Sequence, residues 1–145
     1  LVYLGNLVGT VGTAYILRLT KLSALIPYAE ESAAKKLSDT LPSSFAMAFM
    51  CGVMMSVAVI GFMTVKDSVG KHLALVMPIM VFILAGFEHS IANLFYYSFA
   101  NAWSAHAVLN SAVLAVGNLA GGMLIPLSMR LITGKKLGCE EAVHK

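Results

Sequence analysis

The sequence predicts an all-α integral membrane protein, and three observations support this fold class. Of its 145 residues, 59% are hydrophobic and only 12% are charged, and the mean hydropathy is +0.82. The charged residues are clustered, which leaves long stretches without any charge. These stretches suit helices that cross a hydrocarbon core, because a span needs about 20 apolar residues and lipid offers no partner for unpaired backbone groups.

We predict about four spans in a single transmembrane domain that covers residues 1–145. They lie at about residues 1–17, 43–65, 73–100 and 107–132. The chain is apolar from Leu1 onward, so we expect it to start inside a span. The third segment is too long for one upright helix and carries Glu88 and His89 within it. Both facts predict a helix that is broken near residues 86–90.

The connector between the first two spans predicts a short surface helix without a functional site. Pro27 suits the first turn of a helix, and Lys35 and Lys36 suit its last turn, where cations complement the helix dipole. Basic residues elsewhere lie at span ends, so the formal charge of +3 indicates membrane flanks and not nucleic-acid binding. A weak excess of Lys and Arg on one side predicts a multi-pass protein of the cell (inner) membrane with a cytoplasmic C-terminus.

A five-residue motif occurs twice and predicts an internal repeat. Residues 5–9 read Gly-Asn-Leu-Val-Gly, and residues 117–121 read Gly-Asn-Leu-Ala-Gly. The two copies lie an odd number of spans apart, so they run in opposite directions, as in an inverted repeat of three helices. We therefore expect about two spans of a first repeat to be missing. The glycines predict close helix packing, and Asn118 either bonds between helices or lines a pore.

Glu88 and His89 are the strongest candidates for a functional site. An ionisable pair inside an apolar segment is energetically costly, and it therefore indicates function by default, although Glu88 can simply pair with donors of the broken segment. Histidine changes its charge near neutral pH. It can attract a small anion and hand it a proton, so that a neutral acid crosses apolar constrictions. Phe82, two helical turns before His89, either forms such a constriction or packs.

Other functional classes fit the sequence less well. Cys51 and Cys139 are poor disulfide partners and lack metal-ligand spacing, so we predict no metal and no cofactor. A membrane anchor that binds haem needs a second axial ligand, and the remaining histidines lie at or beyond span ends. A hydrolase needs a base and an acid beside Ser56 or Ser90. We predict a non-enzyme, and another midplane-histidine pore, such as an ammonium or urea channel, remains an alternative.

Two motifs resemble one known family. Residues 85–95, Ala-Gly-Phe-Glu-His-Ser-Ile-Ala-Asn-Leu-Phe, closely resemble the signature around the pore histidine of formate/nitrite transporters. Residues 117–122, Gly-Asn-Leu-Ala-Gly-Gly, resemble the motif of that family's last helix. The resemblance covers essentially the whole chain and identifies it as the C-terminal portion of such a protein.

The resemblance implies an aquaporin-like fold of six helices in two inverted repeats. It also implies a homopentamer with one pore per protomer, which carries small monovalent anions and protons across the lipid bilayer. By the same resemblance, His89 is the central pore histidine, Phe82 belongs to an apolar constriction and Asn118 is a polar pore-lining group. Ser90 and Glu88 belong to the region that interrupts the fifth helix.

The sequence departs from the family pattern at one position. Many members carry a Cys-Asn pair where this chain has Cys51-Gly52. The broken second helix, which supplies the other half of the pore in the family, has no counterpart in this chain. The choice between formate, nitrite and hydrosulfide therefore stays open.

Overall fold

The computed structural model describes residues 1–134, and this part of the chain is helical with no strand. The predicted all-α fold class is confirmed. Six α-helices and one 3₁₀ helix (Lys21–Leu25) follow one another: α1 Val2–Arg18, α2 Ile26–Leu37, α3 Leu41–Thr64, α4 Ser68–Leu84, α5 Ser90–Phe99 and α6 Ala105–Thr133. The segment predicted to be broken consists of α4 and α5, with an interruption at residues 85–89.

Capping side chains determine where three of the helices begin. Thr40, Asp67 and Ser104 each accept a hydrogen bond from the backbone N–H three residues later, which satisfies a donor that the first turn leaves free. Because Asp67 caps α4, this helix begins at Ser68, five residues before the start that the sequence predicts. The segment 66–72, which carries Lys66, Asp67 and Lys71, is therefore only partly a connector, and Lys71 lies in the first turn of α4.

Glycines let α3 and α6 pack with their backbones in close approach. A Cβ atom on Gly117 would lie 2.9 Å from the carbonyl oxygen of Phe45, and one on Gly121 would collide with the carbonyl group of Phe49. On the facing helix, a Cβ atom on Gly52 would collide with the backbone of α6. Close packing is therefore confirmed for the second copy of the motif.

The first copy of the motif has different surroundings. Nothing in the described chain lies within 4 Å of a Cβ atom built on Gly5, Gly9 or Gly12. Asn6 is exposed beside them. Close packing of the first copy is therefore not found within residues 1–134, where this face of α1 is open.

The short helix α5 lies at the centre of the buried core. It packs against α1, α2 and α6. Arg18, at the end of α1, donates a hydrogen bond of 2.7 Å to the carbonyl oxygen of Phe99 at the end of α5, where a helix leaves acceptors free. The core cluster contains Ala14, Ala29, Ala33, Tyr97, Phe99, Ala100 and Ala107. Small alanines on the neighbouring helices thus make room for the aromatic side chains of α5.

Two of the described helices are long and apolar enough to cross a membrane, by length and composition. They are Leu41–Thr64, with a mean hydropathy of 2.2, and Ala105–Ile132, with 1.7. The helix Ser68–Leu84 is also apolar but shorter. Large apolar side chains are exposed on several helices, among them Val8, Leu84 and Leu119. An apolar surface of this extent is typical of a molecule that contacts lipid or other protein.

Candidate functional site

The interruption between α4 and α5 begins with a glycine turn. Gly86 has φ +70°, the left-handed region that glycine adopts without strain. The N–H of Phe87 donates to the carbonyl oxygen of Phe82 (3.0 Å), and the N–H of Gly86 donates to that of Ile83 (3.1 Å). These two bonds form a Schellman motif, which ends α4 and satisfies its last carbonyl groups. The chain then reaches His89, whose own backbone is extended (φ −107°, ψ 117°).

His89 is the N-cap of α5. Its Nδ1 atom accepts a hydrogen bond of 3.3 Å from the backbone N–H of Ala92. Because Nδ1 accepts, a neutral imidazole ring carries its proton on Nε2. Within residues 1–134 no hydrogen bond engages Nε2, so Nε2–H is the donor that the ring offers to a ligand. Nδ1 of the ring therefore binds α5, and Nε2 is available to a ligand in the part of the chain that the structure describes.

Asn118 joins the interruption to the two long helices. Its Nδ2 atom donates to the carbonyl oxygen of Glu88 (2.9 Å) and to that of Ala48 in α3 (2.8 Å). Its Oδ1 atom accepts from the N–H of Ser90, the first residue of α5 (2.8 Å). Both amide hydrogens and the amide oxygen thus bind backbone groups. Asn118 forms interhelical hydrogen bonds and, in addition, lies in the wall of the cavity described next.

A cavity of about 410 Å³ opens beside His89. Its walls come from α3, α6 and the interruption, and the lining residues are Cys51, Gly52, Met55, Ser56, Val59, Ile60, His89, Asn118, Gly122 and Pro126. The hydroxyl group of Ser56 donates to the carbonyl oxygen of Gly122 (3.0 Å). His89 is therefore the side chain of this largely apolar wall that can both donate a hydrogen bond and take up a proton.

Glu88 belongs to a different cavity, although it precedes His89 directly. This second cavity has a volume of about 540 Å³ and is lined by Ser32, Lys35, Lys36, Ser38, Asp39, Met47, Gly86 and Glu88. The ammonium group of Lys36 binds both carboxylate oxygens of Glu88, at 2.8 and 3.0 Å. The Glu88 side chain is only 15% exposed. Glu88 and His89, although adjacent in sequence, therefore line different cavities.

The other two predicted site residues have simpler environments. The ring of Phe82 lies against that of His89, with ring centroids 6.2 Å apart and planes inclined by 32°. Phe82 does not contribute to the wall of the 410 Å³ cavity. The side chain of Ser90 is buried, and its backbone N–H binds Asn118. Within residues 1–134, no group of three or more His, Cys, Asp or Glu side chains could hold a metal ion.

Two residues that bind Glu88 were not predicted to belong to the site. Lys36 and Asn93 both bind the Glu88 carboxylate, and the Nδ2 atom of Asn93 lies 2.6 Å from Oε2. Lys36 lies 52 residues before Glu88, and no local pattern indicates such a pairing. Asn93 carried a usable signal, because it is a buried amide within an apolar segment. The same signal led to Asn118.

Comparisons with known proteins point to one family. The sequence profile described as Formate/nitrite transporter matches residues 1–132. The chain is 26% identical to the formate-nitrite transporter of Plasmodium vivax over 139 residues, which cover 83% of the chain and 44% of that protein. It is 30% identical to the uncharacterized transporter YrhG of Bacillus subtilis (strain 168) over 125 residues, which cover 81% of the chain and 47% of that protein.

One solved structure has a similar fold. A pentameric formate channel with formate bound matches with a TM-score of 0.73 at 24% sequence identity, over 92% of this chain and 64% of that one. The chain spans less than half the length of the two curated relatives described above. The family profile nevertheless matches nearly all of the chain. The chain therefore belongs to the formate/nitrite transporter family.

Proposed function

We propose that this chain is the C-terminal part of a membrane channel or transporter for small monovalent anions of the formate and nitrite class. One observation carries the proposal. His89 lines a largely apolar cavity, its Nδ1 atom accepts a hydrogen bond from the N-terminus of α5, and no hydrogen bond within residues 1–134 engages its Nε2 atom. The family and the formate bound in the similar structure support the substrate class. A hydrosulfide channel of the same family is the alternative.

The chemistry of the site suits a weak-acid anion. An anion beside His89 receives a hydrogen bond from Nε2–H and lies close to the N-terminus of α5, where the helix dipole is positive. A bare anion is costly in an apolar passage, whereas its neutral acid is not. The anion can take a proton only from the imidazolium form of His89, in which Nδ1 also carries a hydrogen and the bond from the Ala92 N–H is broken. Nε2 then gives its proton to the anion and leaves a neutral ring with its hydrogen on Nδ1. The neutral acid crosses the apolar part of the passage, to which we assign Phe82.

Lys36 supports this role by neutralising Glu88. An unpaired carboxylate one residue before His89 would repel an anion, because the interaction between charges is strong in a low-dielectric environment. The bidentate contact with Lys36 and the bond from Asn93 hold the Glu88 carboxylate on the other side of the interruption. We infer that Ser90 and Asn118 act through the backbone, by fixing the position of His89.

We also propose an inverted repeat and a homopentamer. In this arrangement α3, the broken pair α4 and α5, and α6 form one three-helix repeat, and α1 is the last helix of the other. Asn6 then has the position that Asn118 has in the second repeat. The exposed apolar faces would contact lipid and neighbouring protomers of a cell-membrane protein with a cytoplasmic C-terminus. The pentameric state of the similar channel supports this assembly.

The proposal is tested by anion uptake into proteoliposomes that contain the full-length protein. Formate, nitrite and hydrosulfide are each offered over a range of external pH. Wild-type uptake is expected to rise as the external pH falls, because the proton accompanies the anion. The variant His89→Asn keeps an N-cap for α5, since asparagine is among the best capping residues, but it cannot pass on a proton. We expect at least about tenfold lower uptake and a flat pH profile.

The matched control is His106→Asn, which changes an exposed histidine near the start of α6. This variant should behave as wild type does. If His89→Asn carries anions with the wild-type rate and pH profile, the proton-transfer role of His89 is wrong. If the wild-type protein carries none of the three anions, the substrate class is wrong.

A further inference from the structure

Hydrogen bonds between buried side chains continue from Glu88 into the core. The hydroxyl group of Tyr97 donates to Oδ1 of Asn110 (3.0 Å), and Nδ2 of Asn110 donates to Oγ of Ser44 on α3 (3.1 Å). Asn93 connects this set to Glu88, because its Nδ2 atom lies within bonding distance of both Oε2 of Glu88 (2.6 Å) and the Tyr97 hydroxyl oxygen (3.5 Å). Four buried side chains thus link Glu88 to α5, α6 and α3.

The direction of each bond follows from the donors available. The Tyr97 hydroxyl has one hydrogen, which it gives to Asn110, so its oxygen is an acceptor for Asn93. Asn93 can then give one amide hydrogen to Tyr97 and the other to Glu88. Its own Oδ1 atom is buried without a hydrogen-bond partner in the described chain. The amide keeps this orientation although it leaves an acceptor unsatisfied.

We propose that Tyr97, supported by Asn110 and Ser44, is a positioning residue for Glu88. Its hydroxyl oxygen fixes the Asn93 amide with the NH₂ group toward the carboxylate, and this bond holds Glu88 on Lys36. The inference rests on the proposed function, in which a neutralised Glu88 lets an anion approach His89. It adds a second layer of residues, which lie outside both cavities that contain Glu88 and His89.

Tyr97 can act in this way because the two ends of the Asn93 amide group differ: the NH₂ group donates hydrogen bonds and the oxygen accepts them. The Glu88 carboxylate and the Tyr97 hydroxyl oxygen both favour the orientation in which the NH₂ group of Asn93 faces them, so without the Tyr97 hydroxyl only one of the two acceptors holds the amide. In the flipped orientation the amide oxygen faces the carboxylate of Glu88, and the two oxygens repel each other. Glu88 then shifts away from Asn93, and its contact with Lys36 loosens. The negative charge next to His89 is no longer compensated, and anions enter less readily.

The first test compares Tyr97→Phe with Tyr28→Phe in the full-length protein. Tyr97→Phe removes one hydroxyl group and keeps the ring in the core, whereas Tyr28 is 70% exposed on α2. We expect about tenfold lower uptake of formate or nitrite for Tyr97→Phe and no change for Tyr28→Phe. Ser44→Ala, at the far end of the hydrogen bonds, should lower uptake by a smaller factor.

A second experiment, made in the Glu88→Gln variant, distinguishes a positioning role of Tyr97 from a role in packing alone. In Glu88→Gln the side chain is neutral and can turn its own amide to match either orientation of Asn93. Adding Tyr97→Phe to Glu88→Gln should therefore lower uptake no further, because the two residues act through one contact. If Tyr97→Phe lowers uptake by the same factor in both backgrounds, Tyr97 has only a structural role and the proposal is wrong.

A third readout does not depend on transport. The rate at which an amine-reactive reagent modifies Lys36 is compared with the rate at Lys35, which is exposed on the same helix. In Tyr97→Phe this ratio should rise severalfold, because Lys36 is less often bound to Glu88. A rise establishes the positioning role even if the wild-type protein carries no tested anion. An unchanged ratio overturns it, whatever the protein transports.

Discussion

The two copies of the Gly-Asn-Leu-x-Gly motif have the same residues at four of five positions but different surroundings. In α6 the glycines touch the backbone of α3, and Asn118 makes three hydrogen bonds. In α1 the glycines face open space in the described chain, and Asn6 is exposed. The comparison teaches that the motif is suited to receive a neighbouring helix. Whether it does so depends on which helix lies beside it.

The largest loss of stability is expected when a side chain is added to a glycine of the second copy of the motif, residues 117–121, which packs against α3. Gly121→Ala places a Cβ atom against the Phe49 carbonyl group, which is part of a helix backbone and cannot yield. We expect a loss of about 3 kcal/mol of stability, measured as thermal unfolding of the full-length protein in detergent. The adjacent Gly122→Ala is the control, because its Cβ atom would lie 3.8 Å from the Gly52 oxygen, an ordinary contact. Equal unfolding temperatures for the two variants would disprove the tight packing of α3 and α6.

A smaller loss of stability is expected when the second copy of the motif loses the side-chain amide of Asn118. Asn118→Ala leaves the Ser90 N–H and the Glu88 carbonyl group at the interruption without their present partner. The bond to the Ala48 carbonyl group of α3 is lost as well, and the loss of the three hydrogen bonds corresponds to about 2 kcal/mol. The backbone amide of Ser90 should also exchange its hydrogen faster, which can be followed by mass spectrometry. Slow exchange in the variant would mean that other groups hold the interruption.

The smallest loss of stability is expected in the first copy of the motif, residues 5–9 of α1. If the proposed inverted repeat places Asn6 against an equivalent broken helix, Asn6→Ala should cost about 1 kcal/mol in the full-length protein, for at least one lost hydrogen bond. The matched variant Val8→Ala changes an exposed residue on the opposite face of α1 and should leave the unfolding temperature unchanged. If Asn6→Ala is as neutral as Val8→Ala, the structural equivalence of the two asparagines is wrong.

Features that depend on local sequence were predictable. The interruption follows from a segment that is too long for one upright helix and from an ionisable pair within it, because a carboxylate does not suit the interior of a membrane helix. The all-helical architecture follows from the lengths of the apolar runs. The start of α4 was placed too late, because the charges at residues 66–72 resemble a connector, although Asp67 can cap a helix.

Features that depend on distant contacts were not predictable. Lys36 looked like the polar end of a surface helix, and only the fold brings it to Glu88. Glu88 and His89 looked like one site, but they line different cavities. The pairing of Tyr97 with Asn110 likewise joins two helices. A sequence shows that a buried polar group needs a partner, but it does not show which one.

Asn118 also has a consequence for how the protein moves. A glycine turn in the middle of a helix suggests a hinge, but the amide group of Asn118 binds only residues that follow this turn, Glu88 and Ser90, and joins them to α3 and α6. Bending at Gly86 would move α4 and leave these three bonds in place. We therefore expect residues 88–90 to act as a rigid bracket that keeps His89 in one place during transport. Any opening and closing of the passage then falls to other segments of the full-length protein.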